Sequence, residues 1–144
     1  MPALDLPEGG LLGAIVRLEL AVTSVLDEIA TRSGLSFADY LVLGVVRRSP
    51  GGRSAPTAIA TVLGRTTGGT TLTLDRLEAA GLLRRRRSPD DGRRVIVELT
   101  DEGLRVATEV NDALHRWEAR LAVPAPALVE TLDGLTDAVA TTAP

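Results

Sequence analysis

The chain has 144 residues, no cysteine and a single histidine, His115. This length suits one domain with appended helices, and the lack of cysteine excludes disulfides, thiolate metal sites and cysteine nucleophiles. One histidine and three aromatic residues do not favour a zinc site or a base-stacking platform. No apolar run reaches the roughly 18 residues that span a bilayer, and no signal pattern opens the chain, so we expect a soluble, cytoplasmic protein without a membrane partner.

The net charge of −3 is unevenly distributed along the chain. Residues 47–94 hold eleven arginines against four acids, a balance of +7, whereas residues 1–46 and 95–144 carry −4 and −6. A basic middle between acidic flanks indicates an anionic partner for the middle of the chain alone.

The first two helices are predicted after a loose arm over residues 1–8. The first helix begins at Leu11, has apolar residues at alternating steps of four and three, and ends near Gly34. Ser36 and Asp39 form a capping-box variant at the start of the second helix. This second helix is apolar on several sides, so we expect the core to enclose it.

Two further helices are predicted in close succession. A short one runs over residues 56–63, with Gly64 as its stop. Thr66 and Thr67 can cap the next helix, which reaches Ala80, and Thr66 is the preferred cap. The two helices are therefore joined by a tight turn that contains glycine.

The apolar pattern then changes to alternation. Four arginines at residues 84–87, a turn cluster at residues 88–92 and apolar residues at 95, 97 and 99 predict a β-hairpin with one apolar face. Alternation divides the four arginines into two pairs on opposite faces. At most one pair can then point at an anionic partner, and we expect the other pair to meet acids of the protein.

The C-terminal part reads as two helices. Thr100 is predicted to cap a fifth helix whose apolar stripe covers residues 104–121, and prolines 124 and 126 precede a short last helix over residues 127–140. One small domain cannot cover the stripes of the first and the last two helices. We therefore expect them to pair with a second copy about a two-fold axis.

The order of elements predicts a mainly α-helical fold with a small β-hairpin wing. Residues 35–100 have the layout of a winged helix-turn-helix DNA-binding region. Residues 1–34 supply an arm and a dimerisation helix, and residues 101–144 supply C-terminal dimerisation helices. In this layout the fourth helix enters a major groove of double-stranded DNA with its N-terminus, and the hairpin tip reaches the adjacent minor groove.

Two runs resemble the MarR (multiple antibiotic resistance regulator) family of winged helix-turn-helix regulators. They are LEAAGL at residues 77–82 and SPDDGRRVIVELT at residues 88–100, the latter followed by Gly103. The resemblance implies a homodimeric repressor that binds a palindromic operator and answers to a small-molecule effector. Thr70 and Leu72 depart from the family, which usually has an apolar and often a basic residue there, so we expect fewer and less polar groove contacts.

The candidate DNA-binding residues lie at the start of the fourth helix and in the wing. Helix amides suit phosphate, and threonine hydroxyls and methyls can meet base edges. The resemblance implies that Arg93 enters the minor groove. Asp91 is expected to orient Arg93 or Arg76 by a charge-assisted hydrogen bond. The full set is Thr66, Thr67, Gly68, Gly69, Thr70, Thr71, Arg76, Arg87, Ser88, Arg93 and Arg94.

The sequence also bears on a ligand pocket and on functions other than DNA binding. The resemblance also makes Phe37 and Tyr40 candidate residues of a ligand pocket, because they begin the second helix, near where the family's pocket lies. A winged-helix module that binds protein without DNA is the alternative function, and it needs no basic wing. The residues offer no metal site, cofactor motif or catalytic constellation, so neither an enzyme nor a cofactor is expected.

Overall fold

The computed structural model describes residues 10–142 and confirms a mainly helical fold with a small antiparallel sheet. The expected arm at residues 1–8 lies outside this range. The chain forms two compact units, one that runs to Leu114 and one that begins at His115. Within residues 10–142, no helix combines the length and the apolar character needed to cross a membrane.

Four helices open the first unit: α1 (Leu11–Thr31), α2 (Phe37–Arg48), α3 (Pro56–Val62) and α4 (Thr67–Ala79). The predicted capping box of α2 is confirmed. The Ser36 hydroxyl accepts a hydrogen bond from the Asp39 N–H at 3.0 Å, and the Asp39 carboxylate accepts one from the Ser36 N–H at 3.4 Å. These bonds fix the start of α2, which lies against α1, α3 and α4.

The turn between α3 and α4 has the predicted glycine and cap. Gly64 has a φ of +61°, the left-handed region in which a side chain is strained. The Thr66 hydroxyl accepts a hydrogen bond from the Gly69 N–H at 3.1 Å, which confirms Thr66 as the cap of α4. The start of α4 is therefore held by its cap and by a fixed turn.

The sheet has three strands, one more than the predicted hairpin. Strands β2 (Leu83–Arg87) and β3 (Val95–Leu99) form that hairpin, and β1 (Arg53–Ser54) pairs with the other side of β3. The prediction missed β1 because a two-residue strand has no alternation to detect. Only the fold brings Arg53 opposite Glu98.

The hydrophobic core of the first unit draws on every helix and on the sheet. Its fully buried large side chains come from α2, α3, α4, β2, β3 and α5 (Asp101–Glu118), and they include Leu43, Ile59, Leu74, Leu77, Leu83, Val97 and Val110. Thr100 caps α5 as predicted, since its hydroxyl accepts from the Gly103 N–H at 3.0 Å. The core thus locks α4 and the hairpin into one unit.

The last helix is longer than predicted. α6 (Ala125–Thr142) has 18 residues, so the prediction of a short helix after two prolines is wrong. Pro126 is the second residue of α6, a position where the missing N–H has no partner to lose. The two prolines therefore do not shorten this helix, which begins at Ala125 between them.

Candidate nucleic-acid interface

The exposed residues in the first half of α4 are small or apolar. Thr67, Gly68, Thr71 and Leu72 are exposed. Thr70 is only 1% exposed, and its hydroxyl donates to the Thr66 carbonyl at 2.9 Å. The prediction that Thr70 contacts a groove is therefore wrong, because the helix turns this side chain into the core.

The remaining predicted residues of this segment lie together at the start of α4. The first amides of a helix have no carbonyl partner within it, and here the amides of Thr67 and Gly68 occupy that position. Gly68 and Gly69 are both exposed, and nothing lies within 4 Å of where a Gly68 Cβ would be. The backbone of α4 is thus open to close approach at its N-terminus.

Arg76 is held by α2 rather than by the wing. Its guanidinium donates to the carboxylate of Asp39, which is 7% exposed and also belongs to the capping box of α2. The hypothesis that Asp91 orients Arg76 is wrong, because the Arg76 guanidinium is bonded to Asp39 instead. The Asp39–Arg76 pair fixes the second half of α4 against the start of α2.

Arg85 joins the wing, which we define as residues 83–99, to α4. Its guanidinium lies 2.6 Å from carboxylate oxygens of both Asp75 and Glu78. The Arg85 N–H also donates to Glu78 at 2.8 Å, and this backbone bond, followed by the guanidinium bond, lowers the pKa of Glu78. Two carboxylates on α4 therefore hold the first strand of the wing.

A second cluster of arginines surrounds Glu98 on the opposite face of the sheet. Glu98 is 8% exposed, and its oxygens lie 2.8 Å from Arg53, 3.1 Å from Arg84 and 2.8 Å from Arg86. The Arg86 hydrogen bond is the main cause that lowers the pKa of Glu98 from 4.5 to about 2. We call these four residues the Glu98 cluster.

Arginines on both faces of the hairpin thus pair with carboxylates, whereas the sequence predicted such pairing for one face. Of the four consecutive arginines, only Arg87 forms no salt bridge among residues 10–142, and its guanidinium donates to the Gly92 carbonyl at 2.7 Å. The hairpin register places Arg84 opposite Glu98, so counting the register could have found this cluster. The partner Arg53 could not be found that way.

Asp91 holds the backbone of the wing tip. Its carboxylate accepts from the Arg93 N–H at 3.0 Å and lies 3.8 Å from the Arg94 guanidinium. The hypothesis that Asp91 orients the Arg93 side chain is therefore corrected: the bond reaches the Arg93 backbone. The Ser88 hydroxyl accepts from the amides of Asp90 and Asp91 at 3.3 and 3.4 Å, so Ser88 also stabilises the turn.

Five arginines of the basic segment, residues 47–94, form no salt bridge within the part of the chain that the structure describes. These arginines are Arg47, Arg48, Arg65, Arg87 and Arg93. Arg65 directly precedes the cap of α4 and was missed as a candidate. Its position in a glycine turn before a capped helix is the signal that could have identified it.

Tyr40 and Phe37 have the contacts of core residues. Tyr40 is buried, its hydroxyl lies 3.2 Å from the Asn111 side-chain oxygen, and its ring stacks on Phe37 with centroids 5.9 Å apart. Phe37 is half-buried and packs against the core cluster. A role for either residue in a ligand pocket stays a prediction.

Comparison with known proteins agrees with this geometry. A model of the MarR family matches residues 33–94, which cover α2 to the wing. The transcriptional regulator PecS of Dickeya dadantii is 36% identical over 114 residues. The aligned segment covers 76% of this chain and 66% of PecS, just under two thirds of that protein's length.

Solved structures share the same fold. A variant of MarR from E. coli in complex with operator DNA has a TM-score of 0.73 and 26% identity, with 89% of this chain and 92% of that one covered. BpsR of Bordetella bronchiseptica, whose DNA binding is regulated by 6-hydroxynicotinic acid, has a TM-score of 0.78, 20% identity and coverages of 93% and 98%. PecS is a transcriptional regulator and not an enzyme. The sequence match, the wing motif and the fold together show that this chain belongs to the MarR family of transcriptional regulators.

Proposed function

We propose that the chain is a homodimeric repressor that binds a palindromic operator in double-stranded DNA and is released by a small-molecule effector. The observation that carries this proposal is the open N-terminus of α4, directly preceded by Arg65, which forms no salt bridge among the residues that the structure describes. An exposed helix start suits a major groove, and free guanidinium groups suit the phosphates around it.

The proposed contacts fall into two classes. Arg65, Arg87 and Arg93, with Arg94 beside Asp91, neutralise phosphates or enter the minor groove. Thr66, Thr67, Gly68, Gly69 and Thr71 bring the helix backbone and small side chains to the major groove. Arg76 acts through the helix, because its guanidinium is committed to Asp39.

Salt dependence tests the DNA-binding proposal. We expect the chain to shift a duplex from upstream of its own gene, with an affinity whose logarithm falls linearly with the logarithm of the salt concentration. Arg93→Ala should weaken binding about tenfold and reduce the salt slope by about one. Arg32→Ala is the matched control, since Arg32 is an exposed arginine of α1 paired with Glu28. Binding of a protein partner, with no DNA affinity in dilute buffer, would instead favour the protein-interaction module.

Uncovered apolar residues support the homodimer. Leu11, Leu12 and Leu18 on α1 are exposed, as are Leu128, Leu132 and Val139 on α6. Exposed apolar stripes of this kind mark interaction surfaces. Sedimentation at micromolar concentration is expected to show a dimer, and Leu132→Glu is expected to shift it toward monomer. Leu72→Glu, an equivalent change of an exposed leucine on α4, should leave the dimer intact, and a monomeric wild type would contradict the proposal.

The effector is supported only by the fold that the chain shares with BpsR, whose DNA binding a small aromatic acid regulates. A ligand that binds the native state raises the unfolding temperature, because it stabilises that state by a free energy that grows with the logarithm of its concentration relative to Kd. We therefore expect a screen of small organic acids by thermal shift to find a compound that also lowers operator affinity. A panel that raises the unfolding temperature without any change in DNA binding would argue against effector release.

Asp91→Ala is expected to weaken operator binding by about threefold to tenfold. An exposed carboxylate repels phosphate by on the order of 1 kcal/mol or less, so electrostatics alone predicts tighter binding. The lost bond to the Arg93 N–H frees the turn, and binding must then order the backbone that carries Arg93. Asp91→Asn keeps an acceptor oxygen and is expected to bind at least as well as wild type. Tighter binding of Asp91→Ala at both low and physiological salt would show that the turn does not need this bond.

A further inference from the structure

The first two turns of α4 offer few hydrogen-bond donors to a base edge. The Thr71 hydroxyl donates to the Thr67 carbonyl at 2.9 Å, and Thr70 and Thr73 are buried with their hydroxyls bonded to carbonyls of the same helix. The Thr66 hydroxyl accepts the cap bond from the Gly69 N–H, which leaves its own proton to donate. The Thr67 hydroxyl forms no side-chain hydrogen bond within residues 10–142, so the hydroxyl donors left at the start of α4 are those of Thr66 and Thr67.

The polar side chains of the next turn are also committed. Asp75 lies 2.6 Å from Arg85, and Arg76 is bonded to Asp39. The Asp75 carboxylate has no donor to offer, and the Arg76 guanidinium donates through one of its nitrogens to Asp39 on α2, away from the bidentate contact by which arginine usually reads guanine. The middle of the exposed face therefore presents hydrocarbon: the methyl group of Thr71 and the side chain of Leu72.

Leu72 is unusual within its own helix. It is 69% exposed, whereas Leu74 and Leu77 are 1% exposed. One turn earlier on the same face, Gly68 has no side chain and open space where a Cβ would be. A flat base edge can therefore approach both the backbone of α4 and the side chain of Leu72.

We infer that Leu72, with the methyl group of Thr71, contacts the C5-methyl group of thymine in the major groove. This inference rests on the proposed function. The C5-methyl group is the apolar feature that a base pair displays in that groove, so it is the feature that a hydrocarbon surface recognises. Arg65, which precedes the cap of α4, supplies the charge complementarity that selects DNA as the occupant of this face.

The test removes the methyl group from the DNA and the side chain from the protein. Duplexes bound by wild type are first selected from a random library, and each thymine of the selected site is then replaced in turn by deoxyuridine. Burying one methyl group contributes about 0.8 kcal/mol, so we expect one or two thymines in each half-site at which the replacement weakens binding about fourfold. Leu72→Ala should weaken binding to the thymine duplex and abolish that fourfold difference.

Val62→Ala is the matched control, because Val62 is a similarly exposed aliphatic residue, 67% against 69%, on the neighbouring α3. Any loss that it causes should be equal on the thymine and deoxyuridine duplexes. Specific binding that ignores every thymine methyl group, or a thymine effect that persists in full in Leu72→Ala, would overturn this inference alone. If no duplex is enriched and none binds, the proposed DNA binding fails, and the inference fails with it.

Discussion

Gly103→Ala is expected to destabilise the first unit strongly. A Cβ at residue 103 would lie 1.7 Å from the Leu82 carbonyl oxygen and 2.7 Å from its carbon. Both atoms belong to the backbone, so no side-chain rotation relieves the clash. The start of α5 would have to move away from the turn between α4 and β2.

That movement breaks the bonds that seat α5. The Thr100 N–H donates to the Leu82 carbonyl at 3.1 Å, and the Thr100 hydroxyl donates to the Gly81 carbonyl at 2.6 Å. It also withdraws Val106, Ala107 and Val110 from the core. Losses of this kind exceed about 4 kcal/mol, a large part of the free energy of unfolding of an ordinary domain.

Helix propensity alone predicts the opposite result, because alanine is favoured over glycine in a helix by about 1 kcal/mol. Gly134→Ala in α6 isolates this term, since nothing lies within 4 Å of its Cβ position. Thermal unfolding followed by circular dichroism should show unchanged or raised stability for Gly134→Ala and a fall of about 15 °C or more for Gly103→Ala. Equal behaviour of the two variants would contradict the packing argument.

Glu98→Ala is expected to lower the free energy of unfolding by about 2 kcal/mol. The substitution leaves three guanidinium groups together without a carboxylate and removes the side chain that joins β1 to β2 across β3. The value lies below the range for fully buried pairs, because Arg53 and Arg84 are largely exposed and water replaces part of the interaction. Glu28→Ala, which removes an exposed pair on α1, should change stability by less than about 0.5 kcal/mol.

The stability that Glu98 contributes should also depend on pH. Its pKa is about 2 in the folded chain and near 4.5 when unfolded. Because the folded pKa is the lower one, the contribution is fully present above about pH 5 and is lost as the pH falls from about 4.5 toward 2. Chemical denaturation of wild type and Glu98→Gln at pH 7 and pH 3 measures this. The difference between the two proteins should shrink at pH 3, and a constant difference would show that the charge of Glu98 has no role.

Local features of this protein were predictable from the sequence by itself. The capping box of Ser36 and Asp39, the cap at Thr66 and the left-handed glycine at Gly64 each depend on residues at most four positions away. Such signals act on neighbouring dihedral angles and hydrogen bonds, so they persist whatever the rest of the chain does. The wing motif indicated the family for a similar reason, since its residues are contiguous in the sequence.

The tertiary structure alone decided which charges remain open to a partner. Asp39 and Arg76 are 37 residues apart, and Arg53 meets Glu98 through a two-residue strand that has no pattern of its own. It also turned Thr70 inward and left Leu72 outward. Composition counts charges but not their distances, and an ion pair depends on distances that only the packing of the core sets. The basic segment has a local charge balance of +7, but many of its arginines pair with carboxylates of the folded protein. A few arginines without such a pair remain beside α4 and at the tip of the wing, within the residues that the structure describes.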